Sequence, residues 1–318
     1  MNVLFTNVGR RTYLIEYTLD LIRQDGYDIN VFVADVSIDT AAFYVSKEVT
    51  PVITPFVSGN EENYLSELLF ICKKNKIDVV VPLMDFELPI LSENKDKFLA
   101  SGTKVWVSDF EVIDNCLDKK KSYDWCSFNG INVPRSYWSF EEALEINSFP
   151  VIKKAILGSG SIGLEIIRNP QEIKKVDFGV YFLQDFIEGR EIGMDVFNDF
   201  HGAFLSAHFR EKITMRAGET DKAKSFNDKA FYKMAQHLSS RFRHIGNMDV
   251  DFLETENGEI YFIDFNPRFG GGYPFTHHSG LNYLKAIIDI SMGREAEFST
   301  TPNEIVGMKG IKLYFYEK

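Results

Sequence analysis

At 318 residues the chain is longer than one small core organises, and ordinary domain sizes divide it into two or three folding units. Hydrophobic residues make up 45% and charged residues 25%, the mixture of a globular protein and not of a disordered or fibrous one. A net charge of -11 argues against the extended electropositive face that nucleic acid requires, so small molecules are the expected partners.

The N-terminus opens on a strand-like run and lacks the basic, apolar and small-residue sections of a signal peptide. No apolar stretch approaches the ~18 residues that cross a bilayer, so no membrane association is expected and the cytoplasm is the expected location. Cys72, Cys116 and Cys126 have neither even pairing nor metal-ligand spacing and read as buried free thiols. A homodimer is the expected assembly, as for many soluble enzymes.

Residues 1 to about 110 alternate short apolar runs with amphipathic stretches: Val3 to Asn7, 12 to 24, Asn30 to Asp35, 61 to 75, Val79 to Leu83, 88 to 100 and Lys104 to Ser108. This alternation predicts an α/β N-terminal domain with a parallel sheet flanked by helices. The turn Asn7-Val8-Gly9-Arg10-Arg11-Thr12 joins a strand to a helix, where backbone N–H groups favour an anion. Its single glycine is too few for a dinucleotide fingerprint, while Arg10 and Arg11 suit a carboxylate or phosphate as well as they suit an ordinary surface. Asp35, Asp85 and Glu87 follow strands and read either as capping residues or as groups facing a ligand crevice.

A linker from about 110 to 135 is punctuated by Gly130 and Pro134, after which the pattern becomes α+β. Val151 to Lys154 forms a strand ending in lysine, and Gly158-Ser159-Gly160-Ser161-Ile162-Gly163 follows as a glycine-rich loop suited to closing over polyphosphate. Strand alternation sends Lys153 and Lys154 to opposite sides, so one of them reaches phosphate. Further on, Asn257-Gly258 between two apolar runs predicts an antiparallel hairpin. Period two puts Asp249 and Asp251 on one face, and aligns Phe262, Asp264 and Asn266 on one side of the partner strand. Such oxygens on adjacent strands can hold Mg²⁺ together with substrate phosphates, and Arg268 lies two residues beyond. A solvated surface hairpin accounts well for Asp249 and poorly for the run from Asp264 to Arg268.

With these motifs in this order, the chain resembles the ATP-grasp superfamily, in particular the ATP-binding part of the carbamoyl phosphate synthetase large chain and its single-module relatives. The resemblance implies an α+β ATP-grasp fold of two subdomains behind the parallel-sheet domain. The implied units are a Rossmann-like domain over 1–110, a linker helix and small subdomain with a glycine-rich lid over 111–190, and a C-terminal subdomain with the metal site over 191–318. It implies ATP and Mg²⁺ as cofactors, with Mn²⁺ as an alternative ion. Lys119 and Lys154 then contact phosphate, residues 158–163 with Ser159, Gly160 and Ser161 form the lid, and Gln184, Asp185, Phe186 and Ile187 receive adenine. Glu191 holds the ribose, Asp251, Asp264 and Asn266 hold the metal, and Arg268 contacts phosphate. Asp264 stands where relatives commonly have glutamate, so its strand comes closer or fewer ions bind.

The resemblance implies a ligase that activates a carboxylate as an acyl phosphate and joins it to an amine. The run from His208 to Lys222 resembles a segment lining the active site, which makes Arg210, Lys212 and Arg216 candidates for the substrate carboxylate, with a solvated mixed-charge loop as the alternative. His277 and His278 either face the acceptor or serve packing. A phosphotransferase, or a nucleotide-binding module without turnover, would use the same ATP site.

Overall fold

The computed structural model describes residues 1–158 and 163–316. Five parallel strands open the chain: β1 (Asn2–Thr6), β2 (Asn30–Asp35), β3 (Val49–Ile53), β4 (Val79–Pro82) and β5 (Lys104–Val105), arranged β3-β2-β1-β4-β5. Alternation along each strand divides its side chains between two cores. Val3, Phe5, Val79 and Val81 pack in one cluster with helix Thr12–Asp25, while Leu4 and Val80 pack in the other with Tyr64, Leu68 and Leu91. Each such fully buried side chain contributes about 1.5–3 kcal/mol. β3 escapes the periodicity search because it carries Pro51, which is tolerated at the sheet edge where β3 lies.

The next four strands, β6 (Ser136–Tyr137), β7 (Val151–Ala155), β8 (Glu165–Ile167) and β9 (Tyr181–Asp185), form a small antiparallel sheet ordered β6-β9-β7-β8. The remaining six make a larger one: β10 (Arg190–Asn198), β11 (Phe204–Arg216), β12 (Glu219–Phe226), β13 (Gly246–Glu254), β14 (Ile260–Asn266) and β15 (Val306–Met308), ordered β14-β13-β10-β11-β12-β15. Helix Lys229–Phe242 covers one face with Phe231, Ala235, Leu238 and Phe242, a helical spacing, and Asp228 caps it by accepting from the Ala230 and Phe231 N–H groups. The last helix, Tyr283–Ser291, returns to the first domain, where Leu284 and Ile287 join the cluster of Val3 and Phe5. No helix among the described residues is long and apolar enough to cross a membrane. The three cysteines are free and buried.

Two local features are settled only by the structure: the first decides against the loop alternative, and the second corrects the face assignment. Residues 208–222 are not a loop: β11 and β12 are joined by Ala217 and Gly218, both at positive φ, the two-residue turn whose twist suits a hairpin. The mixed charge of that run reflects faces that alternate along strands. The second feature lies in the β13–β14 hairpin, where Asp251 faces Asp264 but Phe252 faces Phe262, leaving Ile263 as an extra residue. This bulge breaks strict period two, so Phe262 does not share a side with Asp264 and Asn266. Instead it packs in the core against Phe265, ring centroids 4.2 Å apart, while both polar side chains turn to the opposite face.

Candidate active site

A cavity of about 570 Å³ opens where the three sheets meet. The small lobe contributes Lys154 from β7 and Gly158 from the loop after it, and the adjoining helix Lys119–Phe128 contributes Lys119. The large sheet faces them with Glu191, Lys212, Asp251, Asp264, Asn266 and Arg268, and the first domain closes the third side with Arg11 and Asp85. The sequence separates Lys119 from Asp264 by more than a hundred residues, and the fold brings the ammonium within 3.3 Å of that carboxylate.

Strand alternation places the two lysines of β7 as expected. Lys153 turns outward to pair with Glu165 and lies over the Tyr181 ring, whereas Lys154 is 9% exposed and donates to Gln184 Oε1 at 2.7 Å. Lys119 donates to the Gly158 carbonyl at 2.8 Å, tying the linker helix to the start of the glycine-rich loop. Burial lowers the Lys154 ammonium to about 8, with Asp264 opposing. Its charge is therefore present below that pH and lost as pH rises through it. ADP affinity, followed by calorimetry, is expected to stay level up to about pH 7.5 and to weaken above pH 8 by up to about tenfold per unit. Lys154→Arg should remove that decline; an identical decline in the variant would assign it to another group.

On the opposite wall, β-pairing sets Asp251 against Asp264 and Asp249 against Asn266. Asp251 pairs with Lys212 at 2.6 Å, and Lys212 also donates to Glu191 at 2.7 Å. Burial raises the Asp264 carboxyl, with Lys119 opposing. Burial would lower the Lys212 ammonium, but Asp251 and Glu191 outweigh it and raise it. Arg268 is held in a two-pronged pair with Asp85, at 2.9 and 2.8 Å, and donates to Asn266 Oδ1 at 2.9 Å. Among the described residues no cage of three or more His, Cys, Asp and Glu side chains converges. Two carboxylates and one amide facing a cavity nonetheless fit Mg²⁺, which takes one or two protein carboxylates and completes its shell with phosphate and water.

Other expectations fare differently. Arg210 does not line the cavity: it is fully buried and pairs with Asp195 and Asp249, so it braces the sheet and cannot receive a substrate carboxylate. Arg216 sits at the outer end of β11, half-exposed and paired with Asp221. Asp249, which a surface hairpin would leave in water, is buried beneath Arg210. Gln184 is buried and joins Lys154 to Ser136. Asp185 donates its N–H to the Arg135 carbonyl and accepts from Tyr137, while Phe186 is exposed; neither they nor Ile187 line the cavity. Ser159, Gly160 and Ser161 lie outside the described residues. His277 is stacked on Tyr17 with ring centroids 3.7 Å apart, a packing role, and His278 bonds to the Tyr17 hydroxyl at 3.3 Å.

Asp195 escaped the sequence reading, and only the structure shows what the glycine run Gly270–Gly272 is for. A Cβ at Gly272 would collide with the Arg210 guanidinium, and one at Gly270 with the Asp249 carboxylate. These glycines let the backbone after Arg268 pass directly over the buried ion cluster. Gly272→Ala is expected to cost about 1–3 kcal/mol through overpacking, seen as a lower urea midpoint with unchanged slope.

The order of these parts, a parallel-sheet domain and then two lobes that face each other with lysines and acidic oxygens, is that of the ATP-grasp enzymes. Residues 3–106 match the family model described as PylC-like, N-terminal domain, and residues 116–272 match the one described as ATP-grasp domain. The chain thus carries an ATP-grasp domain behind a PylC-like N-terminal domain. It is 25% identical over 260 residues to a pyruvate carboxylase of Schizosaccharomyces pombe, an alignment that covers 72% of this chain and 22% of that protein. The chain thus spans about a fifth of the length of that relative. Among solved structures, a biotin carboxylase–β,γ-ATP complex from Campylobacter jejuni superposes with a TM-score of 0.73 at 17% identity, covering 95% of this chain and 73% of the other. An L-amino acid ligase from Bacillus licheniformis gives 0.65 at 18% identity, covering 90% and 73%. At such identities the likeness to the two structures concerns the fold.

Proposed function

We propose that the chain is an ATP-dependent carboxylate–amine ligase that works through an acyl phosphate. One observation carries the reading: buried cations of one lobe, Lys119 and Lys154, and the oxygens of Asp251, Asp264 and Asn266 on the other border a single cavity, with Arg268 beside them. That arrangement neutralises a triphosphate from two sides, and phosphoryl transfer depends mainly on positioning and charge neutralisation. Lys119 and Lys154 bind the phosphates, and Glu191 meets the ribose. Asp251, Asp264 and Asn266 would hold Mg²⁺, which when bound neutralises phosphate charge.

In the first step a carboxylate oxygen of the acid attacks the γ-phosphorus, the bond from that phosphorus to the bridging oxygen breaks, and ADP leaves. Arg268 steadies the transferred group. In the second, an amine nitrogen attacks the acyl carbon, the bond to the phosphate oxygen breaks, and phosphate leaves as the nitrogen gives up a proton. The reading divides the chain at about 110 and 190, and takes a soluble cytoplasmic homodimer as the working form.

The test uses Mg-ATP, a panel of amino acids and dicarboxylates, and hydroxylamine as a general amine. Acid-dependent ADP release with formation of the hydroxamate is the expected result. Accumulation of a stable phosphorylated product that no amine consumes would favour a phosphotransferase instead. Failure to bind ADP would overturn the reading as a whole.

A further inference from the structure

The first domain supplies a cation that the nucleotide reading does not use. Arg11 is 7% exposed, lines the cavity, and among the described residues makes no ion pair. The sulfur of Met84 is the one hydrogen-bond partner of its guanidinium among them, and its buried Nε has none. Every other buried cation bordering this cavity has an oxygen partner: Lys119 the Gly158 carbonyl, Lys154 the Gln184 amide, Lys212 and Arg268 carboxylates. Leaving a buried guanidinium without an anion is costly, and burial together with Arg268 lowers its pKa from the ordinary value. Arg11 also stands at the N-terminus of helix Thr12–Asp25, which begins without a side-chain cap, so the partial positive charge of that helix end adds to the same spot.

We infer that Arg11, with the uncapped first turn of helix Thr12–Asp25, is the binding site for the carboxylate of the acid substrate. This rests on the ligase reading and names the part of the site that takes the second reactant. Nearby Arg268 marks the phosphoryl end, so an acid held by the Arg11 fork presents its oxygen toward the group to be transferred. The rest of the acid has room beyond it. A second cavity of about 500 Å³, walled by Tyr13, Tyr17 and Phe275, adjoins the first through Arg10 and Glu219, which border both.

The experiment is a thermal-unfolding titration with malonate as the carboxylate probe, at saturating Mg-ADP so that the nucleotide site is filled. Malonate is expected to raise the melting temperature of the native protein by about 2–4 °C. In Arg11→Met that response should disappear while ADP affinity stays within about twofold. The variant itself should melt no lower than the native protein, because an unpaired buried charge has been removed. Arg11→Lys, which keeps the charge without the fork, should fold and need about tenfold more malonate. An equal malonate response in native and Arg11→Met proteins, or none in the native protein with ADP bound, overturns the inference. A markedly lower melting temperature of Arg11→Met also overturns it, since Arg11 would then be structural. Absence of ADP binding would instead strike the ligase reading.

Discussion

Replacing Asp264 with alanine is expected to lower acid-dependent ADP formation by on the order of 10³-fold while leaving the fold in place. Asp264 faces Asp251 across the β13–β14 pair and stands 3.3 Å from Lys119, on the line where the two lobes meet. Burial already disfavours its ionised form, so its removal relieves a desolvation penalty at the same time as it removes an ion pair. Lys119 keeps the Gly158 carbonyl as a partner. The two effects on stability oppose each other, and the net change should stay within about 1 kcal/mol. Loss of turnover with a nearly unchanged melting temperature separates a chemical role from a structural one. Asp264→Glu, which keeps the carboxylate, should retain activity; if alanine left the turnover rate intact, these carboxylates would not serve the transfer.

The largest effect on stability belongs to Arg210. Its guanidinium lies between the carboxylates of Asp195 and Asp249, and all three side chains are buried. Arg210→Met leaves two carboxylates in the interior without their cation, at a cost of about 3–5 kcal/mol. Asn247 and Thr276 still donate to Asp195 but carry no charge to balance it. The same desolvation argument gives the control: adding Asp195→Asn and Asp249→Asn to Arg210→Met removes the unbalanced charges and should recover more than half of the loss. Chemical denaturation of the three proteins measures this directly. Turnover should fall even in the compensated protein, because Asp249 pairs with Asn266 across the strands and Gly270–Gly272 rest on the cluster, so loosening it displaces Arg268.

Much of this fold is legible from the order of residues alone. Val3 to Asn7, Asn30 to Asp35, Val79 to Leu83 and Lys104 to Ser108 carry strand signals strong enough to locate four of the five parallel strands, and the Asn257-Gly258 turn announces the hairpin that bears Asp251 and Asp264. Lys154 and Lys153 separate onto opposite faces because the side-chain period of a strand is two. Where the period is interrupted, the reading fails: the extra residue at Ile263 sends Phe262 to the core, and no local propensity marks that bulge. Arg210 and Asp249 fail for a different reason. A charged residue in a strand reads the same whether it meets water or a buried partner, and its partner Asp195 lies on another strand.

The sequence by itself determined the chemistry on offer: strand-borne lysines, a glycine-rich loop, and acidic oxygens followed by an arginine, in the order of an ATP-grasp chain. Only the tertiary structure decided which charges are spent on one another and which face the cavity. Local patterns follow from backbone periodicity within a few residues, whereas desolvation depends on what chains distant in sequence place above each group. That is why Arg210 became a brace, Arg268 became tied to Asp85, and Arg11 was left to face the cavity with no anion of its own among the described residues.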